Sequence, residues 1–434
     1  MLRNSWKTAL YFVLAAVLLS ARADGPSSVE WNNDWNLVAT MAVTNIGPPP
    51  KGPTPFNESR IYAMTNAAIH DVLNAIERRY RPYSYDTRVD GATSPEAAVA
   101  QAAHDILVAQ SELSSQKEFF GFALKTDLDK VPPGAAKDAG ITLGKSAARH
   151  YLELRVADVS NMQPIGPNPG GIRTQPGAYR YTKPFDEPPL DGIIANPNWH
   201  QLKPFVLATS SQFRSPGPYP LASSQYAVDF NEVKRLGSKV SPARTAEQTE
   251  IATFWLENSP LAWNRIARNV ATAKRLDRWD SARLYALLQL AEADSYIAVK
   301  DSKDHFNAWR PVTAIHFAQS DVNPATIPDP SWEELSFPTP PDQEYSSGHA
   351  CAGAAAAEVL KLFFGTDNVG FSITSTSLPG KTRNYTSFSQ AEDENKDSRI
   401  YAGFHFRKSV NDGETLGRQI GNYIFKNRLG RISE

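Results

Sequence analysis

Three features of the sequence predict a mostly α-helical fold. Apolar residues recur at spacings of three and four over long stretches, alternating strand patterns are scarce, and proline- and glycine-rich segments separate the periodic stretches. Along the chain, one short helix is expected at about residues 31–42, inside a polar lead-in rich in turn formers. From about Glu58, Ile61, Met64, Ala68, Ile69, Val72, Leu73 and Ile76 mark an amphipathic helix. Ser94-Pro95-Glu96 caps a second. Residues 117–153 read as two more.

Residues 159–220 are dense in Pro and Gly and predict a loop-rich wrap over the surface at a site entrance. Helical pattern returns at about Ser241 and continues through residues 260–276 and 280–309, where Pro311 ends or bends the last run. Residues 347–364 form a small-residue helix rich in alanine, and a further helical segment is expected at 398–408. A final helix is expected from near Asn411, capped by Asn411 and Glu414. The best short strand is 369–375. Two related helical halves, at about 58–155 and 241–430, are compatible with this pattern.

The chain has 434 residues, 41% of them hydrophobic, enough for a sizeable core. A formal net charge of -1 offers no electrostatic basis for a nucleic-acid partner. The basic start with Arg3 and Lys7, the apolar run 9–19 and Ala21-Arg22-Ala23 describe a secretory signal over residues 1–23, cut after Ala23. That run is too short to span a bilayer comfortably. A secreted or periplasmic protein with no stable span after cleavage is expected. The segments are then an extension at 24–57, an N-terminal helical region with its wrap at 58–240, and a C-terminal helical catalytic region at 241–434. Cys351 is the single cysteine, so no internal disulfide is possible, and its small neighbours mark it as a buried hydrophobe.

His70-Asp71 and His104-Asp105 echo one another on two helices. Consecutive residues diverge by about 100° around a helix, so the echo reads as a duplicated packing motif, hydrogen-bonded at a helix seam, rather than a metal site.

The chemistry concentrates in the last third of the chain. Lys303 and Arg310, seven apart, would share one helix face two turns apart. Tyr345-Ser346-Ser347-Gly348-His349 directly precedes the small-residue helix, whose free amides, with the open Gly348 and the Ser347 hydroxyl, can cradle oxyanion oxygens. Arg399 offers a planar fork of donors. His405, six residues on, lies about 240° from it around a regular helix, so both can reach one anion only at a helix end or across an irregular segment. Three cations, a nest and two histidines suit a multiply charged tetrahedral oxyanion. One histidine would attack or coordinate the central atom, and the other would serve as acid and base. The remaining histidines, His70, His104, His150, His200, His305 and His316, lack such company.

Lys303-x6-Arg310-Pro311, Ser347-Gly348-His349 and Ser398-Arg399-x5-His405 resemble the superfamily of vanadium-dependent haloperoxidases and type-2 phosphatidic-acid phosphatases, which also holds bacterial acid phosphatases. Length and the long helical N-terminal region are most similar to the bacterial haloperoxidase branch. The resemblance implies a helical bundle of the vanadium chloroperoxidase and acid phosphatase type. It also implies vanadate bound through His405 as the metal ligand, with oxygens held by Lys303, Arg310, Ser347, Gly348 and Arg399. Lys303, His349 and His405 would be catalytic, Lys303 polarising peroxide and His349 handling protons. Hydrogen peroxide and halide would be the partners, bromide more than chloride, and a homodimer is compatible with it.

The alternatives are an acid phosphatase, in which a phosphomonoester passes through a phosphohistidine at His405, and an inactive oxyanion-binding protein. Two positions depart from the pattern. Ser346 replaces the usual proline. Ser409 stands where an aspartate usually orients the last histidine, and Asp412 is a candidate substitute. Asp342, seven before His349, places an acid where haloperoxidases often carry an aromatic or histidine, which would repel halide.

Overall fold

The computed structural model describes residues 30–46, 53–89, 91–171 and 173–432. The expected signal segment lies outside them. Thirteen α-helices and two short two-stranded antiparallel sheets occur among the described residues. None of these helices is long and apolar enough to cross a membrane.

The N-terminal layer contains α1 (Glu30–Ile46), α2 (Pro55–Ile76), α3 (Pro95–Ala109), α4 (Lys117–Leu128) and α5 (Ala135–Leu154). Thr54 and Ser94 cap α2 and α3 by accepting from the amides three residues on, and a proline follows each cap. The echoed pairs fall on these helices. His70 Nδ1 lies 3.0 Å from Asp71 Oδ1, and His104 Nδ1 lies 2.7 Å from Asp105 Oδ1. The side chains bridge adjacent positions instead of diverging. Asp71 also accepts from the amides of Tyr83, Ser84 and Tyr85 and from the Tyr151 hydroxyl. The pair therefore fastens a loop to a helix seam.

Residues 155–171 and 173–223 are largely irregular and carry β1 (Ile165–Pro167) paired antiparallel with β2 (Ile193–Ala195), Ile165 opposite Ala195. Then come α6 (Ser224–Leu236), α7 (Ala246–Phe254), α8 (Ser259–Ala273) and α9 (Arg278–Phe306). α9 is buried almost all round, including Leu284, Leu287, Leu288, Leu290, Ala291 and Ile297, as a central helix must be. It packs on α2 from the first layer and shares one core with it. The helix ends at Phe306 because Asn307 turns left-handed (φ 47°). Arg310 therefore lies beyond the helix, as the N-cap of the short α10 (Pro311–His316). The expectation that Lys303 and Arg310 share a helix face fails for that reason.

α11 (Gly348–Phe364), the hairpin β3 (Phe371–Thr374) with β4 (Thr382–Tyr385), α12 (Phe388–Tyr401) and α13 (Arg407–Asn427) complete the fold. The final helix begins before Asn411, so that residue lies inside α13 and caps nothing, and Glu414 pairs instead with Lys396 and Arg418. α11 and α13 lie unusually close. A Cβ on Gly417 would fall 2.1 Å from the Cys351 carbonyl oxygen, and one on Gly421 2.6 Å from that of Ala355. The alanines of α11 and the glycines of α13 are the two sides of one tight contact. Cys351 is buried within it, and burial pushes its thiol up to about 12.

Candidate active site

A cavity of about 550 Å³ opens above the start of α11. Five of the seven expected residues line it: Lys303, Gly348, His349, Arg399 and His405. Arg310 and Ser347 stand one layer behind. Ser347 caps α11, its hydroxyl accepting from Ala350 N at 3.5 Å. Gly348 opens the helix, and a Cβ there would meet protein atoms only at 3.5 Å and beyond. The other six histidines line no part of the cavity.

Lys303 leaves the last turn of α9, and its Nζ donates to the carbonyls of Gln343 and Glu344. It also pairs with Asp342 at 3.3 Å. Burial pushes its ammonium down to about 8, partly opposed by Asp342. Arg310 donates from Nε to the Asp342 carbonyl at 2.8 Å and through Nη2 to the Asp342 carboxylate. Asp342 is therefore no bare charge facing the cavity. Burial alone would raise its carboxyl, but Lys303 and Arg310 outweigh that and hold it low.

Arg399 sits in the last turn of α12, and Gly403 (φ 86°) turns the chain before His405. The irregular segment needed to bring the two together is thus present. Arg399 donates to the Trp255 carbonyl at 2.8 Å and to the Ser398 hydroxyl at 3.0 Å. Among the described residues no carboxylate pairs with it. Burial pushes its guanidinium down to about 9.

The His405 ring is held from both sides. Its Nδ1 lies 2.8 Å from Glu344 Oε1, and that oxygen also accepts from Phe406 N at 3.1 Å. Its Nε2 lies 3.1 Å from Arg310 Nη1, which can only donate. The proton therefore belongs on Nδ1, and Nε2 carries the lone pair. Burial, then Arg310 and Lys303, hold the ring pKa well below the usual value, so it stays neutral. Ser409 Oγ is 3.3 Å from Nδ1. Asp412 takes no part, being bound to the Tyr345 hydroxyl and Lys408. The carboxylate partner of His405 is Glu344. Burial raises its carboxyl to about 7 against the pull of Arg310. Sequence reasoning missed Glu344, although an acid between a proline-rich loop and Ser346-Ser347-Gly348-His349 was the available signal.

His349 Nε2 lies 3.1 Å from the Glu257 carbonyl, so the proton sits there and Nδ1 is the free acceptor. Burial, then Arg399, keeps this ring neutral too. The segment between α7 and α8 thus grips two site residues by main-chain oxygens, Trp255 holding Arg399 and Glu257 holding His349.

Comparison with known proteins bears on the fold that carries these residues. Residues 283–433 match the family model of the vanadium chloroperoxidase (VCPO) second helical-bundle domain. Over those residues the chain is similar to the vanadium haloperoxidases. Vanadium chloroperoxidase of Curvularia inaequalis is 23% identical over 296 residues, which are 56% of this chain and 46% of that protein, so the match spans about half of the relative's length. The fold is shared with a bacterial vanadium-dependent iodoperoxidase, at TM-score 0.76 and 24% identity over 95% of this chain and 99% of the other. A holo-type bacterial vanadium-dependent chloroperoxidase matches at TM-score 0.68 and 18% identity over 88% and 95%. The helical-bundle architecture expected from the sequence is the one found.

Proposed function

We propose that this chain is a vanadate-dependent haloperoxidase that uses hydrogen peroxide to oxidise halide, bromide in preference to chloride, to a hypohalous-acid equivalent. The observation that carries the proposal is the floor of the cavity. There a neutral histidine with its Nε2 lone pair fixed lies among three buried cations, one of which has no carboxylate partner. Buried positive charge without compensation costs several kcal/mol. A tetrahedral oxyanion would compensate it, and this donor set fits one better than it fits a bare metal cation.

In this reading His405 Nε2 is the metal ligand. Lys303, Arg399, the Gly348 amide and the Ser347 hydroxyl would hold the anion's oxygens, with Arg310 beside them to offset its charge. Bound vanadate would supply Lewis acidity toward peroxide without a change of oxidation state. Lys303 neutralises charge on the reacting oxygen. His349, neutral and free at Nδ1, accepts a proton from peroxide and returns one to the leaving oxygen. Glu344 keeps the proton on Nδ1 of His405 and so keeps Nε2 available. Asp342 takes up part of the charge of Lys303 and Arg310, which weakens polarisation of the oxidant and favours the more easily oxidised bromide. Export to a secreted or periplasmic location belongs to the same proposal and rests on residues 1–23.

One observation supports a second reading. Glu344 supplies the carboxylate that a nucleophilic histidine needs, so hydrolysis of a phosphomonoester through a phosphohistidine at His405 suits the same atoms. The test strips bound anions from the full chain. One half is assayed with vanadate, peroxide and bromide, the other with a phosphomonoester. Vanadate-dependent bromination is expected. Phosphomonoester turnover inhibited by vanadate, with no bromination, overturns the first reading, and silence in both assays overturns both.

A further inference from the structure

A second cavity, of about 420 Å³, lies behind the anion cradle. It shares no lining residue with the first. The chain passes from one to the other at two places. Asp342 lines the first cavity and Glu344 the second, and His405 lines the first and Phe406 the second. The Glu344–His405 pair, 2.8 Å apart, therefore spans the partition.

Six aromatic side chains line the second cavity: Tyr219, Tyr226, Phe306, Trp309, Tyr345 and Phe406. Two carboxylates stand among them, Asp229 and Glu344. Asp229 is buried, and its Oδ2 accepts from the Lys408 amide at 2.7 Å. Its Oδ1 has no partner among the described residues and is not sealed from solvent, which at a buried lining position means that it opens to the cavity. Burial lifts this carboxyl to about 6, so it is ionised at pH 7.5.

The two lining cations do not cancel these charges. Lys408 Nζ is paired with Asp412 at 2.6 Å. Arg173 is exposed, where water and salt screen it. Lys408 also shows how this wall accommodates a cation, since its ammonium lies 5.2 Å from the centroid of the Tyr219 ring. An anion would meet two carboxylates, and a neutral apolar molecule would leave them unanswered. A cation with an apolar skin answers both the charge and the rings, and the volume suits a small organic molecule.

We propose that this second cavity binds a small quaternary ammonium compound, its charge toward Asp229 and Glu344 and its alkyl groups against the aromatic rings. The occupant and an oxyanion at His405 lie on opposite sides of one carboxylate–imidazole pair. Opposite charges so placed favour each other's binding, and linkage makes the effect equal in both directions. Binding follows from the wall alone. The coupling rests on the oxyanion cradle and not on the haloperoxidase reading.

The test titrates choline and its neutral carbon analogue, 3,3-dimethylbutan-1-ol, calorimetrically into the full chain at pH 7.5 and constant ionic strength. Saturable binding of choline is expected, with the alcohol about tenfold or more weaker. Asp229→Asn keeps an acceptor for the Lys408 amide and should weaken choline about tenfold while leaving the alcohol unchanged. Phe306→Leu, at a half-buried helix end, keeps apolar bulk and should weaken choline about threefold through the lost ring. If Asp229→Asn does not fold, Phe306→Leu and the choline–alcohol pair decide. Absence of saturable choline binding, choline that binds no better than the alcohol, or affinity untouched by the substitutions overturns the proposal.

A second pair of titrations measures the coupling. With sulfate saturating, choline should bind about threefold or more tightly, and sulfate should gain by the same factor with choline saturating. Choline affinity indifferent to sulfate overturns the coupling. Neither titration contains vanadate or peroxide, so failure of the haloperoxidase assay leaves both results standing.

Discussion

Glu344 Oε1 stands 2.8 Å from His405 Nδ1, so a residue that precedes α11 does for His405 what the helix following it, α13, does not. The pair joins two chain segments 61 residues apart, and Ser409 leaves room for it. Glu344→Gln keeps an acceptor but removes the charge. Oxyanion affinity and turnover should fall about 10–100-fold while the thermal midpoint barely moves. Ser409→Asp, placed within reach of the same nitrogen, should restore part of both in the Glu344→Gln background. Wild-type affinity and turnover in Glu344→Gln would remove Glu344 from the site.

The buried ammonium of Lys303 predicts a pH dependence. Its pKa is lowered to about 8 by burial, so it is charged below that pH and neutral above it. A bound dianion favours the charged form. Sulfate, which does not titrate in this range, should bind about tenfold more weakly per pH unit above pH 8. Lys303→Met should bind more weakly at pH 7 and lose this slope. Calorimetric titrations from pH 6.5 to 9.5 give the answer, and a flat wild-type profile would mean that Lys303 does not hold the anion.

His349 and Arg399 should separate chemistry from binding. His349 is neutral near pH 7, because burial and Arg399 depress its pKa. His349→Ala should therefore leave sulfate affinity within a few-fold while lowering turnover about 10²–10⁴-fold, the span of acid–base assistance. Arg399→Lys replaces a fork of donors by a point charge and should weaken sulfate about tenfold. Equal losses of affinity in the two variants would contradict this division.

The contact between α11 and α13 predicts opposite signs for one substitution at two glycines. Gly417→Ala forces a methyl to 2.1 Å from the Cys351 oxygen and should destabilise by about 1–3 kcal/mol. Gly121→Ala lies inside α4 with nothing within 4 Å and should stabilise by about 1 kcal/mol. Urea midpoints at unchanged slope measure both. Stabilisation at the two positions alike would show that backbone propensity, not the helix contact, decides.

Much of this was legible in the sequence. The Ser347-Gly348-His349 turn, Arg399, His405 and the helical periods were local signals, and β3 fell within the expected strand at 369–375, whereas its partner β4 carried no such signal. Helical spacing misled for Lys303 and Arg310, because Asn307 turns left-handed and no composition rule marks it. The two cations still converge, but on Asp342, through a chain reversal. Glu344 was missed because its partner lies 61 residues away, and pattern reading pairs residues along one helix. The holds of Trp255 and Glu257 were invisible in principle, since a main-chain carbonyl carries no residue identity.

That last property bears on how such a protein can change. The grips on Arg399 and His349 do not depend on which side chains occupy positions 255 and 257, provided the backbone keeps its path. Leu256, between them, lines the cavity. One short connection therefore carries an inheritable constant and an adjustable variable side by side. A lineage can exchange Leu256, and with it the molecules admitted, while the anchors of the two ionisable residues stay in place.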